Sequence, residues 1–235
     1  MITIRPSKDR GHADHGWLKS SHTFSFGSYY DPEFMAFGPL RVLNQDFVAA
    51  GGGFPQHGHA NMEIVSYVLQ GAMEHKDSMG TGSVMRPGDV QLMSAGTGVQ
   101  HSEFNASSSD SLHFLQMWVV PAESGMAPGY QQRSFSIAER QGRLRQVVSP
   151  DGEDGSLTIG QDARLYVGLF AEGDEATQNL AAGRGAWLHV ATGSVDLNGM
   201  RLGPGDGAAI VDEDQLRLTG TEAAEVVLWD LPLRS

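Results

Sequence analysis

The sequence predicts an all-β protein built from two tandem β-barrel domains. Three observations support this prediction: short β-rich runs, frequent glycine-containing turns and a weak internal repeat. Glycine accounts for 30 of 235 residues, often beside Pro, Asp, Asn or Ser, which is typical of tight turns between strands. A chain of this length suits one large all-β domain or two domains of about 100–120 residues each.

The strand prediction depends on short apolar runs that end at turn-forming residues. These runs are Glu63–Leu69, Leu112–Val120, Trp187–Val190 and Val226–Trp229. Helical periodicity is scarce, and only the segment Ile137–Gln141 is compatible with a short helix. The chain is therefore predicted to be all-β.

Similar features recur in the same order in the two halves of the chain. A strand followed by glycine occurs at Tyr67–Gly71 and at His189–Gly193, and a Pro-Gly-Asp turn occurs at Pro87–Asp89 and at Pro204–Asp206. A short apolar strand follows each turn. Each match alone is compatible with two unrelated β-meanders, but three matches in one order favour duplication.

The boundary between the halves is marked by a change in composition. Between residues 122 and 150 the chain is rich in Gly, Pro, Gln, Arg and Ser, which is typical of a crossing between domains. We therefore predict an N-terminal domain at 1–135 and a C-terminal domain at 136–235.

Charge and composition exclude several classes of function. The formal net charge is −12 with only three lysines, so direct nucleic-acid binding is not expected. The absence of cysteine excludes disulfides, thiolate metal sites and thiol nucleophiles. We find no apolar run of signal-peptide or membrane-span length, so a cytoplasmic protein without membrane contact is predicted.

Two pairs of polar residues predict a metal site in the first domain. His57 and His59 are two residues apart, which in a strand places both imidazoles on one face, about 7 Å apart at the backbone. His101 and Glu103 repeat this spacing with an imidazole and a carboxylate. If the two strands are antiparallel neighbours, the four side chains converge. Nitrogen and oxygen ligands of this kind suit Fe(II), Mn(II), Ni(II), Co(II), Cu(II) or Zn(II).

The spacing around these residues resembles the two motifs of the cupin superfamily, whose fold is a small double-stranded β-barrel with a metal near its centre. The resemblance narrows to the pirin family of bicupins, especially the bacterial pirin-like proteins described as quercetin 2,3-dioxygenases. It rests mostly on residues 10–135, in the segments Arg10–Trp17, His22–Phe26, Tyr29–Pro32, Met93–Gly98, His101–Glu103 and Leu115–Trp118. It implies two tandem cupin-type double-stranded β-barrels.

Two carboxylates compete as the oxygen ligand. Cupins commonly take it from the first motif, here Glu63, whereas pirins take it from the second, here Glu103. Both lie at even spacing from a histidine, so strand parity does not choose between them. The resemblance favours Glu103 and leaves Glu63 as a buried acid or a group beside the ligands.

The second barrel is predicted to lack a metal site. Aligning the turns of the repeat places Leu218 and Gly220 opposite His101 and Glu103. Aligning Gly193 with Gly71 places Asn179 and Ala181 opposite His57 and His59, and His189 opposite Tyr67.

Other residues receive less specific predictions. His75 is expected on a solvated turn, and His113 is expected to pack in the core. Phe24, Phe26 and Met93 are candidates for an apolar pocket, with ordinary core packing as the alternative.

The resemblance implies a mononuclear metal-dependent dioxygenase, most simply with Fe(II), that cleaves the heterocyclic ring of flavonols such as quercetin. Its expected partners are a small aromatic chelating substrate and dioxygen. Glu103 would ligate the ion and accept the substrate hydroxyl proton. The alternative is a metal- or redox-dependent regulatory protein that binds a transcription cofactor or an enzyme, and the acidic surface suits a basic protein partner.

Overall fold

The computed structural model describes residues 1–233, which form two β-barrels. The strands before the linker are β1 (Ile2–Arg5), β2 (Gly11–Asp14), β3 (Leu18–His22), β4 (Leu40–Val48), β5 (Gly53–His59), β6 (Glu63–Gln70), β7 (Met73–Asp77), β8 (Gly82–Met85), β9 (Asp89–Ser94), β10 (Val99–Asn105), β11 (Leu112–Val119) and β12 (Gly129–Ser134). One short α-helix, α1 (Ile137–Arg140), follows. The remaining strands are β13 (Arg145–Ser149), β14 (Leu157–Thr158), β15 (Arg164–Phe170), β16 (Glu175–Asn179), β17 (Arg184–Thr192), β18 (Val195–Leu197), β19 (Met200–Leu202), β20 (Gly207–Ile210), β21 (Gln215–Gly220) and β22 (Ala224–Pro232). Two 3-10 turns lie at Ser7–Asp9 and Glu153–Gly155.

Each barrel combines a seven-stranded sheet with a four-stranded sheet. In the first barrel the strand orders are β12-β9-β6-β11-β4-β3-β2 and β5-β10-β7-β8. In the second they are β1-β20-β17-β22-β15-β13-β14 and β16-β21-β18-β19. The predicted pair of tandem cupin-type barrels is therefore confirmed.

One strand lies outside its own half of the chain. β1 pairs antiparallel with β20, so the first strand of the sequence extends the large sheet of the second barrel. The predicted division at 1–135 and 136–235 assigns β1 to the first domain and so does not account for this pairing. The boundary otherwise stays a prediction.

The short apolar runs occupy the strands predicted from them. β6, β11, β17 and β22 contain the four runs, and each is buried over most of its length because it lies inside a large sheet. The helix compatible with residues 137–141 is also present; Ser136 and Glu139 cap its first turn reciprocally.

The repeated Pro-Gly-Asp turns occupy equivalent places in the two barrels. Gly88 and Gly205 have φ of 91° and 83°, a conformation that favours glycine. β9 begins at Asp89, and β20 begins one residue after Asp206. The predicted repeat therefore reflects equivalent turns that lead into equivalent strands.

The two barrels share a continuous apolar core. Leu115 and Met117 of the first barrel belong to the same buried cluster as Trp187 and Trp229 of the second. A large apolar interface of this kind holds the two barrels in a fixed relative position. No helix in the described part of the chain is long and apolar enough to cross a membrane.

Candidate metal centre

Three of the four predicted ligands converge at one end of the first barrel. β5 and β10 are antiparallel neighbours, with His57 directly opposite His101 and His59 opposite Val99. One ligand nitrogen from each of the three histidines lies within 4.8 Å of the others. His57 and His59 are half-buried and His101 is buried. The predicted strand pairing thus accounts for the three-histidine cluster.

Glu103 lies beside this cluster in a second, overlapping group. A register shift separates it from His101: the two residues span two positions in β10, whereas their partners in β5, Phe54 and His57, span three. Glu103 shares its 4.8 Å group with His101 and His75, not with the other two histidines. Its assignment as a ligand with His57 and His59 stays a prediction.

The carboxylate of Glu103 is buried and held by two donors. The Ser66 hydroxyl donates to Oε1 at 3.3 Å, and the Gln116 amide donates to Oε2 at 2.7 Å. Burial raises the pKa of the Glu103 carboxyl, while the Gln116 hydrogen bond opposes the shift. The site therefore contains an oriented carboxyl group that is more basic than one in water.

The expectation for His75 was wrong. Instead of a solvated turn, His75 occupies β7 directly opposite Glu103 and is fully buried. Its Nε2 lies 3.1 Å from Oδ2 of Asp77, whose side chain is also fully buried. The missed signal is a period-two pattern: Met73, His75 and Asp77 face inward between charged residues.

Glu63 is the buried acid that the sequence left open. It lies in β6, in the large sheet, where it accepts a 2.7 Å hydrogen bond from Ser94 and one from the backbone of Gly160. Burial raises the pKa of its carboxyl. Glu63 is in neither group of potential metal ligands found among residues 1–233.

Two imidazoles of the cluster, those of His59 and His101, are held neutral at physiological pH by burial. Burial lowers the pKa of His59 to about 4, with a contribution from His57. Burial, followed by His57 and His59, lowers the pKa of His101 to about 3. A neutral imidazole retains the lone pair that a metal ion requires.

The hydrogen bonding of the cluster also fits a metal ion. Nδ1 of His57 donates to the Pro55 carbonyl at 2.8 Å, which leaves Nε2 free of hydrogen. Nε2 of His59 and both ring nitrogens of His101 are buried without a hydrogen-bond partner in the described structure. Since unsatisfied buried polar atoms are costly, these nitrogens are suited to a bound cation.

A cavity of about 620 Å³ opens beside His57 and His59. Its apolar wall includes Trp17, Phe26, Phe54 and Trp118, and its polar wall includes His22, Asn44, Asp46 and Gln116. Of the three pocket candidates, Phe26 lines this cavity, whereas Phe24 and Met93 pack in the core.

A second buried acid lies on the polar wall of this cavity. Burial, with a smaller contribution from Glu103, raises the pKa of Asp46 to about 7, although Ser20 donates a hydrogen bond to it. Asp46 is therefore a second carboxyl, besides Glu103, whose pKa is raised near the histidine cluster.

Two further histidines outside the cluster, His113 and His189, pack inside the protein. His113 is buried, as predicted, and stacks on Phe47 with ring centroids 3.9 Å apart. His189 is fully buried, and its Nε2 lies 3.1 Å from Oε1 of Gln45.

Strand pairing corrects the predicted register of the second barrel. Leu216 and Leu218 correspond to His101 and Glu103, since Leu218 pairs with Leu197 as Glu103 pairs with His75. The predicted positions, Leu218 and Gly220, were wrong by two residues. β9 has six residues and β20 has four, and counting along the sequence from the turns did not allow for this difference.

The register on the partner strand was wrong by one residue. Gln178 pairs with Leu216 as His57 pairs with His101, and Leu180 follows in the place of His59. The predicted equivalents were Asn179 and Ala181. The positions equivalent to the cluster thus hold one amide and several buried leucines.

Two barrels of this architecture, one with a cluster of histidines and a carboxylate, define the protein as a bicupin. Comparison with family models gives a match to the pirin family over residues 3–119 and to the quercetinase C-terminal cupin domain over residues 146–231. The chain belongs to the pirin family.

Several curated proteins are similar over their whole length. The quercetin 2,3-dioxygenase of Escherichia coli (strain K12) is 47% identical over 232 residues, covering 99% of each chain. A putative quercetin 2,3-dioxygenase of Pseudomonas aeruginosa is 44% identical, covering 98% of this chain and 100% of the relative. A crystal structure of the bacterial pirin YhhW from Escherichia coli in complex with nickel(II) superimposes with a TM-score of 0.94 at 46% identity, over 99% of both chains. These findings confirm the family resemblance predicted from the motifs.

Proposed function

We propose that this protein is a mononuclear metal-dependent dioxygenase that cleaves the heterocyclic ring of flavonols such as quercetin. The observation that carries the proposal is the cluster of His57, His59 and His101, with unpartnered nitrogens beside a cavity with aromatic walls. The full-length similarity to a protein named quercetin 2,3-dioxygenase supports the same activity.

His57, His59, His101 and Glu103 would hold the ion. Three imidazoles and one carboxylate suit a divalent transition metal, and Fe(II) is the proposed ion. The nickel(II) complex of the Escherichia coli pirin supports a divalent ion in this family. When bound, such an ion supplies a centre at which a chelating substrate and dioxygen are brought together.

The cavity suits a planar aromatic substrate. Its volume of about 620 Å³ lies within the roughly 300–1,000 Å³ range of small-molecule sites. Phe26 and Trp118 meet edge to face with ring centroids 5.4 Å apart, and Trp118 also meets His59 edge to face. A flavonol bound against these rings would point its 3-hydroxyl and 4-carbonyl toward the histidine cluster.

Glu103 would accept the proton of the substrate hydroxyl. Its two hydrogen bonds, from Ser66 and Gln116, fix the carboxylate in place. A proton acceptor must lie within hydrogen-bond reach of the hydroxyl that it deprotonates, so this fixed orientation favours the role. Gln116, which donates to Glu103, lines the cavity and so connects the carboxylate to the proposed substrate pocket.

The test is oxygen uptake by the Fe(II)-loaded protein with quercetin under air. We expect quercetin consumption coupled to oxygen uptake, and losses of at least 100-fold in kcat/KM for His57→Ala and Glu103→Gln. His12→Ala is the matched control, since His12 is exposed and, within the described residues, its side chain hydrogen-bonds only to Ser21. Conversion without oxygen uptake would indicate an isomerase or lyase instead.

The second candidate is a metal- or redox-dependent regulator that binds a protein partner. The net charge of −12 favours it, because an acidic surface attracts basic proteins. This candidate predicts no flavonol turnover together with a partner whose binding requires the bound metal. Turnover that requires both His57 and Glu103 would favour the enzyme.

A further inference from the structure

The buried His75–Asp77 pair lies behind the histidine cluster and has no part in the proposed reaction. Nε2 of His75 donates to Oδ2 of Asp77 at 3.1 Å. The other oxygen of Asp77 accepts the backbone N–H groups of Met79 and Thr81, at 2.9 and 3.0 Å. Asp77 is therefore held as an acceptor, and the proton of His75 resides on Nε2.

This tautomer leaves one ring nitrogen of His75 without a hydrogen. With hydrogen on Nε2, Nδ1 of His75 presents a lone pair. Nδ1 is buried and has no hydrogen-bond partner within the described residues. One ligand atom each of His75, His101 and Glu103 lies within 4.8 Å of the others. Since a buried lone pair without a donor is costly, this arrangement is suited to a cation.

The pair also shows the hydrogen-bond pattern typical of metal-binding histidines. Such a histidine donates its second ring N–H to a carboxylate or a backbone carbonyl, which fixes the tautomer and raises its basicity as a ligand. His57 has this pattern through the Pro55 carbonyl, and His75 has it through Asp77. Both histidines thus have one ring nitrogen fixed as a donor and the other available to a metal ion, although only His57 belongs to the three-histidine cluster.

We propose that His75, His101 and Glu103 form an inner seat for a divalent transition-metal ion, adjacent to the outer seat of His57, His59 and His101. His101 belongs to both seats, and Glu103 is also in the ligand set proposed above for the outer ion, so the seats are alternative positions for one ion. Two imidazoles and one carboxylate suit the same metals as the outer seat. The inference rests on the proposed metal centre and adds a ligand to it, with Asp77 as the residue that positions His75.

A purely structural role for the pair makes a different prediction. Asp77 shapes the turn after β7, and His75 packs against the Tyr130 ring with centroids 4.9 Å apart. If this packing were the whole role, changes at His75 would alter stability and leave metal affinity unchanged. Metal binding with the outer seat removed therefore separates the two roles.

The experiment uses the full-length chain without a histidine tag, carrying His57→Ala and His59→Ala. Ni(II) binding is measured by titration calorimetry, and Co(II) absorption reports the geometry of the ion. We expect this double variant to bind one Ni(II) ion per chain. Adding His75→Gln is expected to lower that affinity at least tenfold.

Adding Asp77→Asn to the double variant provides the second arm. The amide oxygen of the Asp77→Asn side chain can still accept from the N–H groups of Met79 and Thr81. Its amide NH2 group then donates to Nε2 of His75, so the imidazole proton moves to Nδ1. The lone pair is then lost although the histidine remains, and we expect a similar loss of Ni(II) affinity. His189→Gln is the matched control, since His189 is also fully buried with one unpartnered ring nitrogen.

The proposal is overturned if the double variant binds no Ni(II) while remaining folded by circular dichroism. It is also overturned if His75→Gln and Asp77→Asn leave the residual affinity at the value of the His189→Gln control. These results are independent of the proposed function. If the wild type turns over quercetin but the double variant binds no Ni(II), only this inference is refuted. If the double variant binds Ni(II) but the wild type does not turn over quercetin, only the proposed dioxygenase activity is refuted.

Discussion

The guanidinium of Arg140 and the carboxylate of Glu225 form an ion pair, 2.9 Å apart, at the junction of the two barrels. Arg140 lies in α1, between the barrels, and Glu225 lies in β22. The Tyr67 hydroxyl of the first barrel donates to Glu225 and accepts from Arg140. These three side chains join the linker and both barrels through one buried polar network.

Arg140→Met is expected to destabilise the protein by about 3 kcal/mol, because it leaves the buried Glu225 carboxylate without its cation. Chemical denaturation at pH 7 measures this loss. The double variant Arg140→Met/Glu225→Gln should lose less than the sum of the two single variants. Additive losses would show that the two charges do not interact.

Stability is expected to fall as the pH is lowered from about 6.5 toward 4, in part because of His113. Burial lowers the pKa of this histidine to about 4 in the folded protein, next to Gln45 and near His189 and Arg10. The unfolded chain, with an ordinary imidazole pKa near 6.5, binds protons first, so acid favours unfolding.

His113→Gln should reduce that acid loss by about 1–2 kcal/mol, because glutamine does not titrate. The measurement is urea denaturation of metal-free wild type and variant at pH 7.0 and 4.5. An equal acid loss in both proteins would contradict the assignment of His113 as a neutral buried imidazole.

Gly96→Ala is expected to destabilise the protein by about 2–4 kcal/mol. Gly96 has a φ of 48°, and an added Cβ would collide with the backbone carbonyl of Met126. Gly82→Ala is the control, since a Cβ there meets no atom within 4 Å. Thermal denaturation should show a large loss for Gly96→Ala only; equal effects would place the cause elsewhere.

Phe26→Ala is expected to raise KM for quercetin roughly tenfold with a smaller change in kcat, because about 1–2 kcal/mol of aromatic contact is lost. Steady-state kinetics of the metal-loaded protein measures both constants. Phe104→Ala is the control, since Phe104 lies on the exposed side of β10 and does not line the cavity. A similar rise in KM for the control would exclude Phe26 as a substrate contact.

The sequence predicted the features that depend on local patterns. The two-residue spacings of His57 with His59 and of His101 with Glu103 predicted that the imidazoles share one face of two neighbouring strands, because side chains alternate along a strand. The Pro-Gly-Asp turns revealed the repeat, because a turn position with positive φ favours glycine and is therefore visible in the sequence.

The features that depend on loop length and distant contacts were not predictable. The predicted register of the second barrel was wrong because equivalent strands, and the loops beside them, differ in length between the two halves. His75 was missed because Glu74 and Lys76 make β7 look like a solvated turn, and its buried partner Glu103 comes from another strand. The pairing of β1 with β20 joins residues about 200 positions apart, which no local pattern encodes.

The central claim is that the first barrel binds one divalent metal ion through its histidine cluster. The most direct test is the metal content of untagged protein after incubation with Fe(II) or Ni(II) and removal of free ion. His101→Ala is the decisive variant, because His101 belongs to both donor groups. We predict about one ion per wild-type chain and per His189→Gln control chain, and less than about a tenth of that in His101→Ala. Equal metal content in wild type and His101→Ala would contradict the account.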